Sequence, residues 1–152
     1  MEYISVVTNL VELHTFAKSV VEHMSISAPI HHAAVLTLSG DLGAGKTALV
    51  KEIGTILGVA ETIVSPTFVV ERQYEATHPV FSRLVHMDAY RIESLDELLP
   101  LHFDETIHTR AQLVCIEWPS CIPGAITIPH HQLHIAVTAD EVRHITYRYE
   151  QA

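Results

Sequence analysis

Basic residues are scarce in this chain. Nine Lys and Arg stand against eighteen Asp and Glu, a formal net charge of −9 over 152 residues. Phosphate backbones are held by clustered cations, so this balance excludes a protein that grips nucleic acid on its own. On a nucleic acid it would act through a partner. Cysteine is nearly absent: Cys115 lies in an apolar run and Cys121 in a proline-flanked loop. That pattern suits two free thiols and a reducing cytoplasm better than a disulfide. Long apolar runs are missing, so no membrane-spanning segment is expected. The opening "MEYISVV" carries an acid and no basic stretch, and no signal peptide is expected. Histidine runs the other way, with twelve residues and doublets at His31-His32 and His130-His131. Neither H-E-x-x-H nor a paired C-x-x-C accompanies them, so zinc-ligand spacing is lacking. The imidazoles read as solvated or half-buried.

What remains is a globular composition, 48% apolar and 18% charged. The length suits one domain over residues 1 to 152, large enough to bury roughly 68–70% of its unfolded surface. No repeat or linker divides it. "YISVV" reads as a strand, followed by a helix over 9–24 whose apolar residues Leu10, Leu13, Phe16, Ala17, Val20, Val21 and Met24 recur at three and four. Asn9 and Glu12 stand in capping-box register at its start. "AAVLTLSG" is a buried strand, and "TALVKEIGTILG" a helix stopped by Gly58. "IVSPTFVVERQYE" reads as strand, interruption at Pro66, then strand again. "FSRLVHMDAY" and "QLVCIEWP" are strands that end near an acid, and "SLDELLP" is a short capped helix. "LHIAVT" and "VRHITYRY", joined by "ADE", form a terminal hairpin. Strands alternating with helices early and pairing locally late predict an α/β fold, a mixed sheet flanked by helices.

Three of the six glycines fall between Gly40 and Gly45, and residues 40 to 47, "GDLGAGKT", satisfy G-x-x-x-x-G-K-[ST] at every fixed position. The spacing has a chemical reason. Glycines let successive backbone N–H groups turn inward around a phosphate, and the following helix adds the positive end of its dipole. Lys46 can reach the β- and γ-phosphates as a point charge, and the Thr47 hydroxyl can ligate Mg²⁺. An apolar strand before the motif and an amphipathic helix after it supply the setting that a phosphate cradle requires.

Such a site needs a carboxylate at the end of a neighbouring strand. "RLVHMD" ends in Asp88 and "LVCIE" in Glu117. Either could hold Mg²⁺ directly or through water, or orient an attacking water; the spacing leaves these roles open. Thr67, in the loop of "SPTF", is a candidate to meet the metal or the γ-phosphate and relax when it leaves. The alternative there is a kinked strand in which Ser65 and Thr67 bond their own backbone. Trp118 reads as a core residue or a cover over the loop rather than a reactive group.

"GDLGAGKT", "SPTF", "HMDAYR" and "IEWP", in that order between residues 40 and 119, together resemble the bacterial TsaE (YjeE) family. The resemblance implies a P-loop ATPase required for threonylcarbamoyladenosine in tRNA, slow alone and stimulated by its partners. ATP and Mg²⁺ would be its cofactors. It would act on the threonylcarbamoyltransferase subunits TsaD and TsaB to reset them between turnovers, and meet tRNA only through that complex. By position, Leu42, Gly43, Ala44, Gly45, Lys46 and Thr47 would wrap the phosphates, with Thr47 and Glu117 on the metal. Lys46, Thr67, Asp88 and Glu117 would form the catalytic set. Leu10, or Asn9 beside it, would touch the nucleotide. Ala48, Ala89 and the glycine-free "LLPLHFDE" depart from the family's usual residues.

Two other readings compete. A small-molecule P-loop kinase would need an arginine-bearing lid, and the six arginines include no closely spaced pair. A module that uses ATP only to assemble with a partner would bind Mg²⁺ with the same acids and hydrolyse little.

Overall fold

The computed structural model describes residues 2–150; Met1, Gln151 and Ala152, the ends of the expected domain, lie outside the described residues. Seven strands form one mixed sheet: β1 (Glu2–Val7), β2 (Ala34–Gly40), β3 (Glu71–Glu75), β4 (Arg83–Asp88), β5 (Gln112–Glu117), β6 (His130–Val137) and β7 (Arg143–Glu150), in spatial order β1-β7-β6-β2-β5-β4-β3. β2 lies at the centre, parallel to β5 and β6, and β4 is parallel to β5. β1, β3 and the β6–β7 hairpin add antiparallel pairs at the flanks. The predicted mixed α/β sheet and terminal hairpin are both present.

The central strands are buried on both faces, which explains their near-continuous apolar sequence. On one face Leu36, Leu38, Leu84, Leu113 and Leu133 pack under α1 (Leu10–Ile26) and α2 (Lys46–Ile56). On the other, Val35, Val85, Val114 and Ile116 meet Phe103 and Ile107 of α3 (Phe103–His108), with Leu98 of the 3₁₀ turn Leu95–Leu98. The alternation along each strand sends successive residues to the two cores. No helix among the described residues is long and apolar enough to cross a membrane. Cys115 is buried in β5, Cys121 is half-buried just beyond it, and both are free thiols.

α1 follows its predicted stripe, with Leu13, Phe16, Ala17, Val20, Val21 and Met24 buried. Leu10, counted into that stripe, is 70% exposed because it stands at the first helical position, beyond the edge of the core. The capping box forms by half. Asn9 Oδ1 accepts from the Glu12 N–H, but Glu12 accepts from the backbone and hydroxyl of Thr8 instead of returning to Asn9. The Ser94–Glu97 box closes as expected.

One expectation fails, and one element was not expected. Residues 63–70 form no strand: Pro66 lacks an N–H for a ladder, and its carbonyl instead accepts from both Val69 and Val70 at 3.0 and 2.6 Å. Only the second segment, β3, pairs. The helix α3 has no counterpart in the sequence reading, since it spans six residues and begins at His102, a left-handed residue (φ 52°) without a side-chain cap.

Candidate nucleotide site

The loop between β2 and α2 turns on its glycines. Gly40 has φ 143°, and a Cβ there would lie 2.4 Å from the Ile135 carbonyl oxygen of β6, so no side chain fits. Gly43 has φ 79° and open space where a Cβ would stand. The Ala44 N–H closes the turn on the Asp41 carbonyl at 3.0 Å. Gly45, the residue before α2, supplies no side-chain cap, which leaves the first amides of that helix as donors facing outward.

Parallel pairing then brings the acids to this loop. β5 lies beside β2 and β4 beside β5, with Leu38 opposite Glu117 and Glu117 opposite Asp88. The carboxyl ends of three neighbouring strands thus meet at one edge, where open α/β sheets place their ligands. A cleft of about 240 Å³ opens there, lined by Leu42, Gly43, Gly45, Lys46, Thr47, Ala48, Ser65, Thr67, Asp88, Glu117 and Trp118. Of the residues predicted for the site, only two do not line it. Ala44 turns its side chain into the core, and Leu10 lines a second cleft of about 260 Å³ with Asn9, Leu13 and Arg143. Ala48 borders both clefts.

Hydrogen bonds pair the side chains in the cleft. Thr47 Oγ1 donates to Glu117 Oε1 at 2.8 Å, and Thr67 Oγ1 donates to Asp88 Oδ2 at 2.9 Å. Asp88 Oδ1 accepts from the Tyr90 N–H at 3.0 Å. Ser65 Oγ is 2.7 Å from Thr67 Oγ1, so the "SPTF" hydroxyls bond each other and Asp88 rather than their own backbone. The loop ends in strain: Val70, β-branched, has φ 67°, an outlier for such a side chain, and its carbonyl accepts from the Asp88 N–H at 2.8 Å. Strain of this kind collects where a segment has a functional conformation to hold.

Lys46 is almost fully buried. Its Nζ donates to the Gly40 and Asp41 carbonyls at 2.7 and 2.9 Å and sits 4.1 Å from the Trp118 ring centre. Burial pulls its pKa below the usual lysine value, against the opposing pull of Glu117, Asp88 and Asp41. Trp118, left-handed at φ 57° and packed on Tyr90 at 4.9 Å, lies over this lysine, the second of the two places expected for it.

Two residues escaped that reading. Arg143, at the start of β7, donates from Nε to the Ala44 carbonyl at 2.9 Å, so Lys46 is not the only cation against the loop. It touches the loop from the side of the second cleft and lies outside the phosphate cleft. His86, on β4, is 2.8 Å from Glu117 Oε1 through Nε2. Arg143 had no local signal. His86 stood inside "HMDAYR", but only the strand order shows what it faces.

The donor set suits Mg²⁺. Thr47, Asp88 and Glu117 offer hard oxygens, the ligands that this ion takes sparingly while keeping waters and substrate phosphates. Lys46, the outward amides of α2 and an open Gly43 give an anion the complementary surface.

Known proteins match this chain in sequence and fold. The family model described as "Threonylcarbamoyl adenosine biosynthesis protein TsaE" covers residues 7–146. A relative from Streptomyces coelicolor, named tRNA threonylcarbamoyladenosine biosynthesis protein TsaE, is 41% identical over 74% of this chain and 77% of its own. One of the same name from Bacillus subtilis is 39% identical over 76% and 73%. The crystal structure of Bacillus subtilis YdiB superposes with a TM-score of 0.71 at 29% identity, covering 97% of this chain and 84% of that one. With the family model matching residues 7–146 and relatives about 40% identical over three quarters of the chain, the chain belongs to the TsaE family.

Proposed function

We propose that this chain is a Mg²⁺-dependent ATPase required for threonylcarbamoyladenosine in tRNA. It acts as a single P-loop domain in the cytoplasm, on the transferase subunits TsaD and TsaB, to support their turnover. The observation that carries this reading is the convergence of Lys46, the Thr47–Glu117 pair and the Thr67–Asp88 pair on one cleft at the carboxyl ends of three strands.

The residues divide the work. Leu42 to Thr47 cradle the triphosphate, with Lys46 releasing the Gly40 and Asp41 carbonyls to meet the phosphate oxygens. Thr47 and Glu117 hold Mg²⁺, which when bound neutralises charge on the β- and γ-phosphates. Asp88, fixed through Thr67 and the Tyr90 N–H, orients the attacking water. Because Thr67 bonds Asp88, the "SPTF" loop and the water position move together, which suits a segment that senses the γ-phosphate. The cleft of about 240 Å³ suits the phosphate tail; the adenosine continues past Ala48 into the cleft of Leu10 and Arg143.

No arginine enters the phosphate cleft among the described residues, and an arginine finger is worth roughly 10³–10⁵ in rate where present. Hydrolysis by the isolated chain is therefore slow, and the transferase subunits raise it by supplying charge or ordering the switch loop. The test is ATP turnover with and without TsaD and TsaB, beside nucleotide-dependent capture of the pair. Stimulation and capture are expected; equal turnover and no capture would contradict the reading.

A further inference from the structure

Two donors end on the same oxygen of Glu117. The Thr47 hydroxyl reaches Oε1 from α2 at 2.8 Å, and the His86 Nε2–H reaches it from β4, also at 2.8 Å. Oε2 takes no hydrogen bond among the described residues. The ladder sets this geometry. His86 stands opposite Cys115 and Asp88 opposite Glu117, so His86 and Glu117 are diagonal neighbours on the α2 face, within reach of long side chains.

His86 is completely buried, and its Nδ1 has no partner among the described residues. Leaving such an atom unpaired is destabilising. An apolar residue would fill the same space beside Leu84 and Cys115 without that cost, so packing does not account for an imidazole here. Among the described residues its one polar contact is Glu117.

We propose that His86 is a positioning residue for the metal end of the site. This rests on the Mg²⁺–nucleotide reading given above. By holding Oε1, the imidazole fixes the rotamer of Glu117 and keeps Oε2 available as the metal-side oxygen. Thr47 donates to the same oxygen from α2, so the carboxylate is held from both sides. Partners that orient a metal-ligating side chain typically contribute 10–100-fold to metal affinity. Neither Asp88 nor Lys46 substitutes: Asp88 is a carboxylate that accepts from Thr67 and Tyr90, and Lys46 is held by the loop carbonyls until it turns to the phosphates.

The test compares His86→Gln with His86→Asn. The glutamine amide nitrogen reaches the place of imidazole Nε2, whereas the asparagine amide stops at the place of Nδ1. Calorimetry with ADP, in Mg²⁺ and in EDTA, gives the factor by which the metal strengthens binding. His86→Gln is expected to keep this factor within about threefold of wild type, and His86→Asn to lose about tenfold or more. Both should bind ADP in EDTA like wild type. Equal loss in the two variants, or full retention in His86→Asn, overturns the proposal.

A measurement on the wild-type protein guards against variants that do not fold. With ¹⁵N-labelled histidine, the His86 Nε2 resonance should be that of a protonated nitrogen. It should move when Mg²⁺ is added to the ADP-bound protein and stay in place when ADP is added alone. A bare Nε2, or one indifferent to Mg²⁺, also overturns it. Should wild type itself show no Mg²⁺-dependent nucleotide binding, the functional reading fails instead, a distinct result.

Discussion

Replacing Gly40 and Gly43 separately by alanine separates the two demands on the glycine loop. At Gly40 the added Cβ would meet the Ile135 carbonyl oxygen at 2.4 Å, with φ at 143°. Holding an L-residue in that backbone region costs about 1–3 kcal/mol. Gly40 and Ile135 form the last registered pair between β2 and β6, and prising them apart forfeits about 0.5–1.5 kcal/mol of hydrogen bonding. The sum, about 1.5–4.5 kcal/mol, lowers the melting temperature by about 3–18 °C at 2–4 °C per kcal/mol for a chain of this size. At Gly43 nothing lies within 4 Å. Only the left-handed conformation is penalised, at about 1–2 kcal/mol, partly offset by a stiffer unfolded chain. Urea and thermal unfolding of the nucleotide-free variants, followed by circular dichroism, give both numbers. Equal destabilisation at the two positions would refute the claim that close approach to β6 is what requires glycine at 40.

Lys46→Met should leave the nucleotide-free protein within about 1 kcal/mol of wild type, since it removes a buried charge along with its bonds. It should abolish the stabilisation of about 2.7 kcal/mol expected at 100 times the dissociation constant of a ligand, read as a missing shift in melting temperature with Mg²⁺–ADP. His131 gives a pH dependence. It is buried and bonded through Nδ1 to the Tyr147 hydroxyl; burial, then His23 and His130, lower its pKa from 6.5 to about 4. The unfolded chain protonates first, so this stabilisation is complete above pH 6.5 and is lost as pH falls from 6.5 towards 4, about 3 kcal/mol in all. Urea unfolding of His131→Phe should show a shallower loss over that window; parallel curves would contradict it. His102→Gly should raise stability by about 0.5–1 kcal/mol by relieving the left-handed start of α3, seen as a higher urea midpoint.

Local features carried well from sequence to structure. The period of α1, the glycine loop, the stop at Gly58 and the β6–β7 hairpin each depend on neighbours a few residues apart. The strand-end acids were legible too, because an apolar run that closes in Asp or Glu marks an edge. Their convergence was not: Thr47 and Glu117 lie 70 residues apart, and only the order β2-β5-β4 brings both acids to the loop. Arg143 is 99 residues from the carbonyl it holds. α3 was hidden by its six-residue length and uncapped start, and residues 63–70 by β-branched residues whose strand preference Pro66 overrides.

The central claim is that main-chain amides and Lys46 hold a magnesium-complexed adenine nucleotide at residues 40 to 47. Titration calorimetry of the wild-type chain and Lys46→Met with Mg²⁺–ADP and a non-hydrolysable Mg²⁺–ATP analogue tests it directly. One site per wild-type chain is expected, weakened by EDTA, with no measurable heat for Lys46→Met. Absence of binding to the wild type, or equal affinity for both proteins, would contradict it.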